Sequence, residues 1–156
     1  MSLGTYKASS GHFVPVWRLE IQTRPDDAER LLDAVVTVEP LQYGRYRRNA
    51  SVSAVGAETG QPEENSTTTT HIDGFKAGGT ETYPMVELKF SIPRDQAILE
   101  RVMDAVHHAH HYEEPVIHLR EEWASRAAYD PNNDNPDRWW NDGRGMPDKV
   151  PFGMPS

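Results

Sequence analysis

Val106-His107-His108-Ala109-His110-His111-Tyr112-Glu113-Glu114-Pro115-Val116-Ile117 is the stretch whose reading decides the fold. Four of the chain's seven histidines fall inside it, two carboxylates follow at once, and a proline closes it. Upstream, Ile98, Leu99, Val102, Met103 and Val106 recur at helical spacing, which predicts an amphipathic helix from about Arg94 to about His108. Downstream, Val116 to Glu121 alternates, with Ile117 and Leu119 on one face and His118 and Arg120 on the other, as in a strand. The residue before a proline is biased away from helical backbone, so Pro115 fits the change of period.

The same two periods recur toward the N-terminus. Val86, Leu88, Phe90 and Ile92 oppose Glu87, Lys89 and Ser91, which predicts a strand over 84–92 ended by Pro93. Trp17, Leu19 and Ile21 oppose Arg18, Glu20 and Gln22 in a strand over 16–23. Pro25-Asp26-Asp27-Ala28-Glu29 reads as a helix start, with Asp26 as cap and Glu29 completing a capping box. Ala28, Leu31, Leu32 and Val35 then form an apolar stripe. Leu41 to Val55 reads as a further, less regular strand. The order is βαββαβ, which predicts an α+β, ferredoxin-like fold: a four-stranded antiparallel sheet with two helices on one face. Residues 1–13 read as a loose arm, 14–123 as the domain with a long Gly/Thr/Ser/Glu-rich loop over 56–82, and 124–156 as an irregular extension. Trp139, Trp140, Phe152 and Met154 make that extension too apolar for a purely solvated tail, so it is expected to lie across a surface.

Composition narrows the function. A net charge of -8 argues against nucleic acid, which needs a concentrated basic face. The absence of cysteine excludes disulfides and thiolate metal sites. No apolar run approaches a membrane span and there is no signal-peptide core, so a soluble, cytoplasmic protein is expected. Catalytic residues are not apparent. Ser51, Ser53 and Ser66 lack a nucleophile elbow, and Glu113 and Glu114 are adjacent, so in extended backbone they point apart.

His110-His111-Tyr112-Glu113-Glu114-Pro115 resembles the H-P-Y-E-E-P signature that closes the second helix in the CutA-like, PII-like domain inserted in the Nif-three-like (dinuclear-metal-centre) family. CutA proteins carry a similar H-P-Y-E-x-P. Here His111 stands where the family has proline. Tyr43-Gly44-Arg45-Tyr46 is similar to the G-x-Y of that domain, and the resemblance spans about residues 14–121. It implies a ferredoxin-like subunit, a homotrimer with sheets meeting around a threefold axis, and a ligand or metal site near subunit clefts. The hydrolase domain of the larger family has no counterpart here, so its activity is not implied.

These readings give one main expectation: a non-enzymatic trimer that binds a metal ion or small ligand at the end of the second helix. His107 and His111, four apart, and His107 and His110, three apart, share a helix face and could chelate zinc or copper, with Glu114 adding an oxygen. A helix C-terminus also favours cationic histidine with no metal present. Arg45, Tyr46, Arg48, Tyr112 and Glu113 are the candidate ligand-binding residues. A nucleotide-sensing PII-like protein, with Arg45, Arg47 and Arg48 clasping phosphates, is one alternative. A scaffold trimer is the other.

Overall fold

The computed structural model describes residues 7–141. The chain divides into two compact units. Pro15–Ala124 is the larger, and residues 7–14 with 125–141 are the described part of the smaller.

In the larger unit, strand β2 (Gly11–Thr23) pairs antiparallel with β5 (Glu81–Pro93), in a register that sets Leu19 opposite Phe90 and Ile21 opposite Leu88. Strand β3 (Ala50–Val52) pairs antiparallel with β5 at Leu88–Phe90, and β4 (Gly56–Gly60) continues along β5 at Glu81–Met85. On the far side of β2 lies β6 (Ile117–Ala127), which the Gln22 N–H reaches at the Val116 carbonyl, 3.0 Å. The order β6-β2-β5-β3/β4 is that of a ferredoxin-like sheet. Helices α1 (Ala28–Val38) and α3 (Gln96–Ala109) pack together on one face. Between helices and sheet sit Leu19, Ile21, Leu31, Val35, Leu88, Phe90, Val102 and Val106, all essentially without solvent contact. Burying each of these side chains contributes about 1.5–3 kcal/mol, which is why the alternating and helical stripes dictate this layering.

The opposite sheet face is charged but paired. Glu20 accepts from Arg120 and lies 3.8 Å from Lys89, which also meets Glu87 at 2.8 Å. Arg94 fastens β2 to β6 by donating to the carbonyls of Val16 (3.1 Å) and Glu122 (2.9 Å), and lies over the Trp123 ring.

Several boundaries differ from the sequence reading. Only Ala50–Val52 of the segment 41–55 is strand. Leu41, Gly44 and Arg48 hold positive φ, so residues 41–49 fold into a turn that drives Leu41 into the core and closes on a Tyr43–Tyr46 bridge. The predicted loop 56–82 contains β4 and a short helix, α2 (Thr67–His71), capped by Ser66. Asp26 makes no cap bond; a 3-10 turn (Pro25–Asp27) precedes α1 instead, and Asp27 is buried. Leu119 is 46 % exposed rather than inward.

In the smaller unit, residues 7–13 are not loose: β1 (Lys7–Ala8) pairs with the start of β2. The Ala128 N–H donates to the Ser10 carbonyl, and the Ser10 hydroxyl donates to Asp130 at 2.8 Å. Tyr129, Trp139 and Trp140 form an aromatic cluster with ring centroids 5.2–6.3 Å apart. Phe152 and Met154 lie outside the described residues.

Candidate functional site

Residues 110–114 leave α3 and form one wall of a cavity of about 530 Å³, within the range of small-molecule sites. A latch fixes this wall. His110 is 9 % exposed; its Nδ1 accepts from the Tyr112 N–H at 3.0 Å, and its Nε2 donates to the Gln22 carbonyl at 2.8 Å. Those partners require the neutral ring with its proton on Nε2. Burial, the largest influence, holds the His110 pKa below the ordinary histidine value.

A second tie runs through Asp27. Its carboxylate accepts from Arg24 Nε (2.9 Å) and Arg30 Nη2 (3.4 Å), and His111 Nε2 lies 3.3 Å away. Arg30 also donates to the Ala109 carbonyl at 2.6 Å, so the start of α1 is bound to the end of α3. Burial alone would raise the Asp27 pKa, but the bond and charge of Arg24, aided by His111 and Arg30, bring it below the usual value.

The opposite wall comes from the segment read as a loop. The Glu113 carboxylate accepts from both the N–H (2.7 Å) and the hydroxyl (2.9 Å) of Thr67, which lowers its pKa. Phe75 stacks on Tyr83 with centroids 6.1 Å apart. Glu58 is the cross-strand partner of Tyr83 on β5. Burial first, and then the neighbouring carboxylate of Glu58, push the Tyr112 hydroxyl up to about 12. Burial, then Glu81 and Glu58, raise Tyr83 as well. The second carboxylate oxygen of Glu58, Oε2, is buried with no hydrogen-bond partner, and it is the only such side-chain atom among the described residues.

Of the sequence candidates, His111, Tyr112, Glu113 and Glu114 line this cavity. His110 stands behind it with both ring nitrogens engaged, and His107 is exposed on α3. Among the described residues, no three histidines, aspartates or glutamates converge as a metal site would need. Arg45 and Tyr46 sit exposed in the 43–46 turn, and Arg48 pairs with Glu29 and Asp33 on α1; none of the three lines the cavity. Sequence reasoning missed Arg24, Glu58, Thr67, Phe75 and Tyr83. Ser66 ahead of the threonine run is a capping signal that could have placed α2. Nothing local marks Glu58, because only the β4–β5 pairing brings it there.

No protein-family model matches the sequence, and no curated protein does. Among solved structures, the chain resembles a Bacillus cereus protein related to NIF3, with a TM-score of 0.56 and 20% identity. That likeness covers 77% of this chain and 30% of the other, so the chain spans under a third of that protein's length. A CutA1 from Oryza sativa follows at TM-score 0.47 and 12% identity, over 74% and 84% of the two chains. A GlnK–ATP complex from B. subtilis stands at 0.45 and 12%, over 69% and 83%. At these identities likeness bears on the fold alone. With the strand order, it supports a ferredoxin-like fold.

Proposed function

We propose that this is a non-enzymatic, PII/CutA-like protein that binds a small organic ligand in the cavity at the end of α3 and signals occupancy through residues 61–80. The carrying observation is the pair of hydrogen bonds from Thr67 to Glu113, which couples the signature segment to α2 across the cavity. A ligand seated there touches both walls, so its binding energy acts directly on the order of the loop. A binding role rather than catalysis is supported by how the groups are used. Glu113 is committed to Thr67, and a Tyr112 hydroxyl near 12 neither gives nor takes a proton readily at neutral pH.

The homotrimer is part of the proposal. Glu20, Lys89, Glu87 and Arg120 on the open sheet face are already paired with one another, which reduces the cost of bringing them against a second copy. An organic ligand fits better than a metal ion, because both His110 nitrogens are engaged.

Hydrogen exchange on the full chain tests the reading. A small molecule whose resonance shifts map to Tyr83 and Tyr112 should slow exchange in residues 61–80, and Glu113→Gln should weaken that coupling. Cavity binding that leaves exchange in 61–80 untouched would refute the signalling role. A monomer by light scattering at micromolar concentration would refute the trimer.

A further inference from the structure

We infer that the ligand of this cavity is an organic cation: an ammonium or guanidinium group carried on an apolar body. The inference rests on the proposed ligand site and names the chemistry it selects. Four carboxylates line the cavity, Asp26, Glu58, Glu113 and Glu114, against one guanidinium, that of Arg24. The charge of Arg24 is offset by neighbouring carboxylates, since its Nε donates to Asp27 and lies 3.9 Å from Asp26. Glu113 is satisfied by Thr67. Glu58 therefore stands out, with Oε2 buried and unpaired beside two tyrosines.

A buried carboxylate oxygen without a donor is an unmet demand for an N–H. Glu58 lines the cavity, and the terminal torsion of a glutamate is broad, so its carboxylate can turn to meet a ligand there. A cationic donor meets the demand with a charge-assisted bond. The surroundings suit the rest of such a ligand. Phe75, Tyr83 and Tyr112 offer ring faces that attract a cation, and Ile72, Pro25 and Pro84 offer apolar surface to a carbon body. Burial is the main cause of the raised pKa of both tyrosines, and the charge of Glu58 adds to it at each. Phosphate-bearing ligands meet the opposite condition, a lining in which carboxylates of like charge outnumber the cationic side chains.

The experiment titrates the full-length protein with phenethylamine and agmatine, and with two controls that keep the phenethyl body, the neutral phenethyl alcohol and the anionic 3-phenylpropionate. Binding is followed by amide and tyrosine-ring resonance shifts. The amines should bind at least about tenfold more tightly than the alcohol, with shifts at Tyr83 and Tyr112, and the carboxylate should bind worst. Glu58→Gln should abolish the preference for the amine while leaving weak binding of the alcohol. If Glu58→Gln fails to fold, Glu114→Gln carries the test and should reduce the same preference. Equal or tighter binding of the alcohol or carboxylate, or a preference unchanged in the folded variant, overturns the cation inference and leaves the ligand site standing. No shift at the cavity with any of the four probes overturns both.

Discussion

His110→Ala should unfold the protein at markedly lower temperature, and should also remove a pH response. The ring makes two bonds inside the fold, from the Tyr112 N–H and to the Gln22 carbonyl. It also packs edge-on against Tyr112 with centroids 4.7 Å apart. Truncation leaves a donor and an acceptor unsatisfied, each costing about 1–2 kcal/mol, and opens a void beneath the signature segment. A loss of about 3 kcal/mol is expected, or roughly 10 °C in Tm for a domain of this size. Burial holds the folded pKa of His110 below the ordinary 6.5. Between those two values the unfolded chain binds more protons than the folded one, so stability rises with pH. The contribution of the neutral ring is fully present above about 6.5 and is lost as pH falls toward the folded pKa, with a slope of up to about 1.4 kcal/mol per pH unit. Urea unfolding of the wild type and of His110→Ala at half-unit steps from pH 5 to pH 8 measures both effects. A variant within 0.5 kcal/mol of the wild type, or one retaining the same slope below pH 6.5, would refute the latch.

Asp27→Asn should destabilise by about 1–3 kcal/mol at neutral pH, since the half-exposed Arg24 and Arg30 lose their buried carboxylate partner. Because the Asp27 pKa is lowered from 3.8, its contribution is fully present above that value and fades as acid protonates the folded carboxylate, so the deficit should shrink in unfolding curves as pH falls below 3.8. Phe90→Ala, in the middle of the core, should cost about 3–5 kcal/mol by denaturant titration. Thr67→Val should speed amide exchange in 66–71 while leaving the core strands protected, because it removes one of the two donors to Glu113. Zinc or copper titrated into the untagged protein should bind weakly and be unaffected by His107→Ala; a stoichiometric site lost in that variant would restore the metal reading.

The core and the layer order were legible in the sequence because burial imposes its own periodicity. Ala28, Leu31, Leu32 and Val35, and Val86, Leu88, Phe90 and Ile92, are buried as their spacing demands. The edges were less legible. In 41–49, the positive φ of Leu41, Gly44 and Arg48 breaks the strand that the sequence pattern predicts. Within 56–82, glycines at both ends of β4 and four low-propensity threonines in α2 leave no strong local signal. Strand β4 forms because β5 is long enough to template a second partner beyond β3.

The candidate site divides along the same line. His111-Tyr112-Glu113-Glu114 could be found from sequence, since a helix stop followed by polar and aromatic residues is a contiguous pattern. The other wall, Glu58, Thr67, Phe75 and Tyr83, lies far along the chain and comes together only through cross-strand register and the Thr67–Glu113 bonds. The histidines changed meaning for the same reason. Spacing makes His107, His110 and His111 look equivalent. Tertiary structure instead assigns the His110 ring to two backbone partners, sets His111 beside Asp27 and leaves His107 in solvent. Local periodicity determines which face of an element is buried; the partner of each polar group is set by distant residues, and only the folded chain decides it.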